Sequence, residues 1–127
     1  MRRPIIAATG AKPKGPYTPA ILAHGPTLYI SAQGPFDPAT GQIEAKTFRD
    51  QAKQVFDNVT ALLEAGGATW ADVVKVQVFL ADFADFAVMN EVYSQYVQEP
   101  YPARTTVHSK IGQADIVVDA TAVLSGE

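Results

Sequence analysis

The run Val73-Val74-Lys75-Val76-Gln77-Val78-Phe79-Leu80 is rich in β-branched side chains and alternates only in part between apolar and polar. It reads as a strand without a cleanly polar face. The stretch Ile116 to Leu124 behaves alike, with Ile116, Val118 and Ala120 alternating with Val117, Asp119 and Thr121. A sheet built on such strands asks for cover on both sides. The helices available are few. Phe48, Ala52, Val55, Phe56, Val59, Leu62 and Leu63 recur at helical spacing after Thr47, with Asp50 placed for a capping box and Gly66-Gly67 ending the run. Thr69 to Asp72 reads as a short turn, and Asp82 or Asp85 caps a second helix carrying Phe86, Met89, Tyr93 and Tyr96, stopped by Pro100 and Pro102.

Ala20 to His24 and Thr27 to Gln33 are short strands, and Gly25-Pro26 between them signals a hairpin. Arg104 to Ser109 is a further strand, and Phe36-Asp37-Pro38-Ala39-Thr40-Gly41 is a surface turn. Two helices cannot wrap both faces of a sheet of four to six strands, so the pattern predicts an α+β fold with the helices on one face. The other face then points to subunit association through the sheet.

Composition narrows the function. A chain of 127 residues holds one domain, residues 1–127, and 47% apolar content supports a folded core. With no cysteine there is no disulfide, thiolate metal site or cysteine nucleophile. A net charge of -3 with only Arg2-Arg3 as a basic cluster argues against nucleic acid as a partner. The start of the chain has no secretory apolar region, and Lys75, Gln77, Asp82 and Asp85 interrupt the most hydrophobic part, so neither export nor membrane insertion is expected and the cytoplasm is the default address. His24 and His108 lack ligand-like spacing; each is expected as a surface or strand residue, and no metal is expected.

The most informative segment is Tyr101-Pro102-Ala103-Arg104-Thr105-Thr106-Val107. Period-two alternation puts Arg104 and Thr106 on one side of a strand, and a guanidinium at a rigid strand entrance can grip a carboxylate through two parallel bonds. The alternative is a surface or inter-subunit salt bridge. Tyr17, after Gly15-Pro16, either caps a pocket or shields the core edge. Asn90 either holds a ligand, a water or a loop or is an exposed helix residue. Ser31 offers a hydroxyl, but nothing adjacent in sequence would activate it as a nucleophile.

Taken together, Gly15-Pro16-Tyr17, Ile30-Ser31-Ala32-Gln33-Gly34-Pro35, Asp37-Pro38-Ala39-Thr40-Gly41, Asp57-Asn58-Val59 through Gly66-Gly67, Asp72-Val73-Val74-Lys75, Met89-Asn90-Glu91-Val92-Tyr93 and Pro102-Ala103-Arg104 resemble, in order and spacing, the RidA/YjgF family of reactive-intermediate deaminases. The resemblance implies a chorismate-mutase-like α+β subunit with a mixed sheet and two helices on one face. It also implies a homotrimer with a central barrel and ligand clefts between subunits. It further implies hydrolysis of small 2-enamino and 2-imino acids without cofactor. On that footing Arg104 clamps the carboxylate, while Tyr17, Ser31, Ala32 and Asn90 shape the pocket.

Three positions depart from the family pattern. Thr106 stands where many members have cysteine, and Ala32 where glycine is frequent. Val117 stands where a glutamate is associated with the attacking water, and a valine neither accepts nor delivers a proton. Asp119, two residues on and on the same side, is the candidate substitute, about 6.6 Å further along the strand. Two functions follow: hydrolytic deamination using Arg104, Tyr17, Thr106 and Asp119, or non-catalytic binding of a small carboxylate by a trimer that has lost its acid at Val117. RNA cleavage, attributed to some relatives, is disfavoured by an isoelectric point of about 5.3 and the lack of a basic-aromatic stripe.

Overall fold

The computed structural model describes residues 2–124, so Met1 and residues 125–127 of the expected 1–127 domain lie outside the described residues. In chain order the elements are β1 (Arg2–Ile5), β2 (Ala20–Ala23), β3 (Thr27–Gln33), α1 (Phe48–Ala65), β4 (Val73–Leu80), α2 (Phe86–Tyr93), β5 (Ala103–His108) and β6 (Ile116–Val123). The fold is α+β with a mixed sheet. Four strands lie in the order β3-β6-β4-β5, and β1 and β2 form a separate antiparallel pair. Strand β6 runs antiparallel to both β3 and β4, whereas β4 and β5 are parallel. The parallel pair is joined through α2, as a crossover connection requires.

Strand alternation sorts the sheet into two faces. Val76, Val78, Leu80, Ile116, Val118, Ala120 and Ala122 are buried under the helices with Phe56, Leu63, Met89 and Tyr93. Helix α1 packs on β6 and β3, and α2 packs against α1. Lys75, Gln77, Phe79, Asp119 and Thr121 alternate with that set and remain half-buried. This open face is the one that two helices could not cover. Phe56 anchors the helical layer, its ring 5.3 Å from Tyr96, 5.7 Å from Tyr93 and 6.1 Å from Trp70, centroid to centroid.

The structure corrects several local expectations. Gly25-Pro26 does not close a hairpin: β2 pairs with β1, and β3 pairs with β6. The dipeptide instead passes the chain from the small sheet to the main one. Gly25 adopts φ +147°, where a Cβ would clash with the Leu124 carbonyl oxygen, and Leu124 N–H donates to the Pro26 carbonyl at 2.8 Å. Strand β1 escaped the sequence reading because it is short and contains Pro4, which a two-stranded edge tolerates. The Arg2 guanidinium ties it down by donating to the carbonyls of Ala71 and Pro100.

At the start of α1, Thr47 Oγ1 accepts from Asp50 N–H at 3.1 Å, which is one half of the expected box. The complete capping box is at Thr69 and Asp72, opening a short 3-10 turn over Trp70–Asp72. Asp82 caps another such turn, Phe83–Asp85, by accepting from Ala84 N–H; Asp85 stands at the N-cap of α2 without a side-chain cap bond. Helix α2 ends at Tyr93, well before Pro100. Tyr96 therefore lies beyond it, packed on Phe56 and donating its hydroxyl to Asp57 at 2.8 Å.

Candidate functional site

Arg104 is the second residue of β5, two after Pro102, and is half-buried on the helix side of the sheet, where it pairs in register with Val76. Its Nη1 donates to Asn90 Oδ1 at 2.7 Å and lies 4.0 Å from Met89 Sδ. The guanidinium carbon stands 5.0 Å from the Tyr93 ring centroid, 5.8 Å from Phe86 and 6.0 Å from Tyr17. Three aromatic rings thus surround one cation, an attraction that gains from partial desolvation. Burial lowers the Arg104 pKa, and Tyr93 and Tyr17 pull it back up; a guanidinium stays charged under such a shift.

Among the described residues no carboxylate pairs with Arg104; the ion pair that forms is Arg49 to Glu91, on the surface. A guanidinium has five N–H donors and Asn90 engages Nη1, so donors remain for an anionic ligand. Tyr17 reaches this place because its loop is stapled to the segment ahead of β5. Thr18 N–H donates to the Pro102 carbonyl at 3.1 Å, and Thr18 Oγ1 donates to that of Tyr101. Tyr17 Oη accepts from Lys14 N–H at 3.2 Å. Thr106 follows two residues after Arg104 and pairs with Val78, so it shares the helix side; its hydroxyl is buried without a hydrogen-bond partner among the described residues, as is that of Tyr93. Arg104, Tyr17 and Asn90 are therefore brought together, with Thr106 on the same side.

Ser31 and Ala32 are elsewhere. Both are exposed on β3, where an irregularity between Ile30 and Gln33 breaks the pairing with β6. Strands β3 and β5 are opposite edges of the sheet, three strand spacings or about 14 Å apart. Val117 pairs with Phe79 and Asp119 with Gln77, one residue out of phase with Val76 and Val78, so both occupy the open face. Asp119 does share the side of Val117, but within one chain that side is turned away from Arg104. Sliding β6 along its axis by two residues leaves this unchanged. Partial burial raises the Asp119 pKa, while a hydrogen bond with the Gln77 backbone and the charge of Lys75 oppose the rise.

Ala32 and Val117, far apart in sequence, line one cavity of about 540 Å³ with Phe36, Ile43, Ile111 and Ala114. This apolar lining escaped the sequence reading, as did Phe86, Met89 and Tyr93 around Arg104. The stripe Phe86, Met89, Tyr93 was visible as a core face, and core and cation cage share one signal. Phe36, Ile43 and Ile111 sit in irregular segments where no periodicity marks them. His108 is exposed, its Nε2 3.0 Å from the Ala81 carbonyl. Among the described residues no group of three or more metal-ligating side chains comes together, and no helix is long and apolar enough to cross a membrane.

Residues 8–123 match the family described as Endoribonuclease L-PSP. The chain belongs to this family, the RidA/YjgF family. Among its RidA/YjgF relatives, a RutC family protein of Pyrococcus horikoshii is 43% identical over 97% of each chain. The 2-iminobutanoate/2-iminopropanoate deaminase of Homo sapiens is 40% identical over 82% of this chain and 75% of that one. The crystal structure of E. coli TdcF with bound serine superposes with a TM-score of 0.73 at 32% identity, covering 97% of this chain and 99% of the other. The RidA/YjgF fold accounts for the mixed sheet and for both helices lying on one side of it.

Proposed function

We propose that this protein is a cytoplasmic hydrolytic deaminase of small 2-enamino and 2-imino acids, acting as a chorismate-mutase-like homotrimer whose subunit clefts hold the substrate. The observation that carries the reading is the Arg104 guanidinium, half-buried among three rings, oriented by Asn90 and paired with no carboxylate of the described residues. Such a group is poised for the carboxylate that these substrates share. The human relative named for 2-imino acid deamination and the serine in the E. coli relative support the same ligand class.

The separation of Arg104, Tyr17, Asn90 and Thr106 from Ser31 and Ala32 supports a site completed by a second subunit. In that arrangement one protomer supplies the cationic half and its neighbour the half at the end of β3. Arg104 fixes the carboxylate. Protonation at carbon turns the enamine into the imine, water adds to the imine carbon, and ammonia leaves to give the 2-keto acid. Holding substrate and water in register supplies much of the acceleration by orientation alone.

Val117 favours a second reading. It is 5% exposed in a cavity whose lining includes no ionisable side chain, so no acid stands there to steer water. The protein is then a trimeric binder of small carboxylates without turnover. The test couples a 2-aminoacrylate-generating dehydratase to pyruvate release. Acceleration by the wild type and its loss in Arg104→Ala support the deaminase. Binding of a 2-keto acid without acceleration selects the binder, and full activity in Arg104→Ala overturns the role given to the guanidinium.

A further inference from the structure

The cavity beside β6 says which substrates suit this protein, an inference that rests on the carboxylate-gripping role proposed for Arg104. Its walls are the side chains of Ala32, Phe36, Ile43, Ile111, Ala114 and Val117, and its polar side chains are those of Gln42 and Gln113. Phe36 and Ile111, both in the lining, are 49% and 44% exposed, so apolar surface at this cavity is left uncovered in the single chain. Two of the three departures from the family pattern, Ala32 and Val117, sit in the same wall, and Val117 puts methyl groups where an acid would repel an apolar occupant. About 540 Å³ is far more room than a methyl or methylene substituent fills.

We propose that this cavity receives the side chain of a substrate whose carboxylate is held across the subunit boundary by Arg104 of the partner subunit, and that it selects 2-imino acids with bulky apolar side chains, branched aliphatic or benzyl, over those with methyl. The reaction is R–C(=NH)–COO⁻ plus water giving R–CO–COO⁻ plus ammonia: the C=N bond is replaced by C=O, the water oxygen becomes the keto oxygen, its two hydrogens join the imine N–H to complete ammonia, and nothing is oxidised. The apolar cavity acts on R alone. Each methylene bound in an apolar pocket is worth roughly tenfold or more in specificity.

The test generates the imines of leucine, phenylalanine and alanine with an amino-acid oxidase and measures how far the protein speeds their disappearance, using semicarbazide to trap what remains. The expected result is a kcat/KM for the isobutyl and benzyl imines at least about tenfold above that for the methyl imine. Ile111→Gln should lower that ratio, and because Ile111 is exposed in a loop the change leaves the core untouched; Ile43→Ser is the second variant. A methyl imine handled as well as the larger ones overturns the specificity and leaves the deaminase reading standing. If no imine is accelerated, calorimetry decides: 4-methyl-2-oxopentanoate binding at least about tenfold tighter than pyruvate sustains the side-chain selection without catalysis, and equal affinities overturn it.

Discussion

At the scale of single residues, the decisive contact is that between Arg104 and Asn90. A bond to a charged group in a half-buried place contributes about 1.5–3 kcal/mol, so Asn90→Ala is expected to weaken binding of a 2-keto acid roughly tenfold or more by calorimetry. An unchanged dissociation constant would show that the aromatic cage alone sets the guanidinium. Asp119 makes a different prediction. Partial burial raises its folded pKa above the unfolded value, with the Gln77 backbone and Lys75 opposing. A raised acid contributes stability that is fully present below the unfolded pKa and is lost as pH rises through the folded one. Asp119→Asn should therefore raise the unfolding temperature at neutral pH, with the gain vanishing as the pH falls below about 4. A gain that persists or grows at low pH would contradict this origin.

Among the elements, α1 shows how closely local sequence and local structure correspond. Thr47 Oγ1 satisfies the Asp50 N–H, and Gln51, Ala52, Val55, Phe56, Val59 and Leu63 form the buried stripe. Thr47→Ala is expected to cost about 1 kcal/mol in denaturant unfolding, with the denaturant dependence unchanged. A loss near zero would mean that packing alone fixes the helix start. The elements that escaped the sequence are those whose signal is not local. Strand β1 has four residues, one of them Pro4, and is held by Arg2 bonds to carbonyls at 71 and 100. Helix α2 stops at Tyr93 although Tyr96 continues the apolar spacing, because Tyr96 finds Phe56 and Asp57 outside the helix.

For the whole molecule, the open face of the sheet is the feature with the widest consequence. Phe79 and Val107 pair on β4 and β5 on that side, and Val107 is 36% exposed in one chain. A trimer formed through this face has about three times the 13.6 kDa of the chain by light scattering. Val107→Glu sets a charge there without entering the core, and should shift the species toward the single-chain mass. A wild type at single-chain mass would remove the neighbour that the proposed cleft requires. A trimer undisturbed by Val107→Glu would place the association elsewhere on the surface.

Local spacing was enough for α1, for β4 and β6 as strands without a cleanly polar face, and for the common side of Arg104 and Thr106, because side-chain periodicity and caps act over a few residues. Pairing was not legible: Gly25-Pro26 looks like a hairpin turn until β6 is seen to take the place beside β3. Nor could spacing reveal that Tyr17, Phe86 and Tyr93 meet around one guanidinium, or that Ala32 and Val117 share a cavity. Those placements are decided by sheet order, and sheet order depends on which distant strands bury their apolar faces together beneath the helices. The chain's own periodicity therefore determined its longer elements and marked Arg104, whereas tertiary packing alone decided that Asp119 turns away from it.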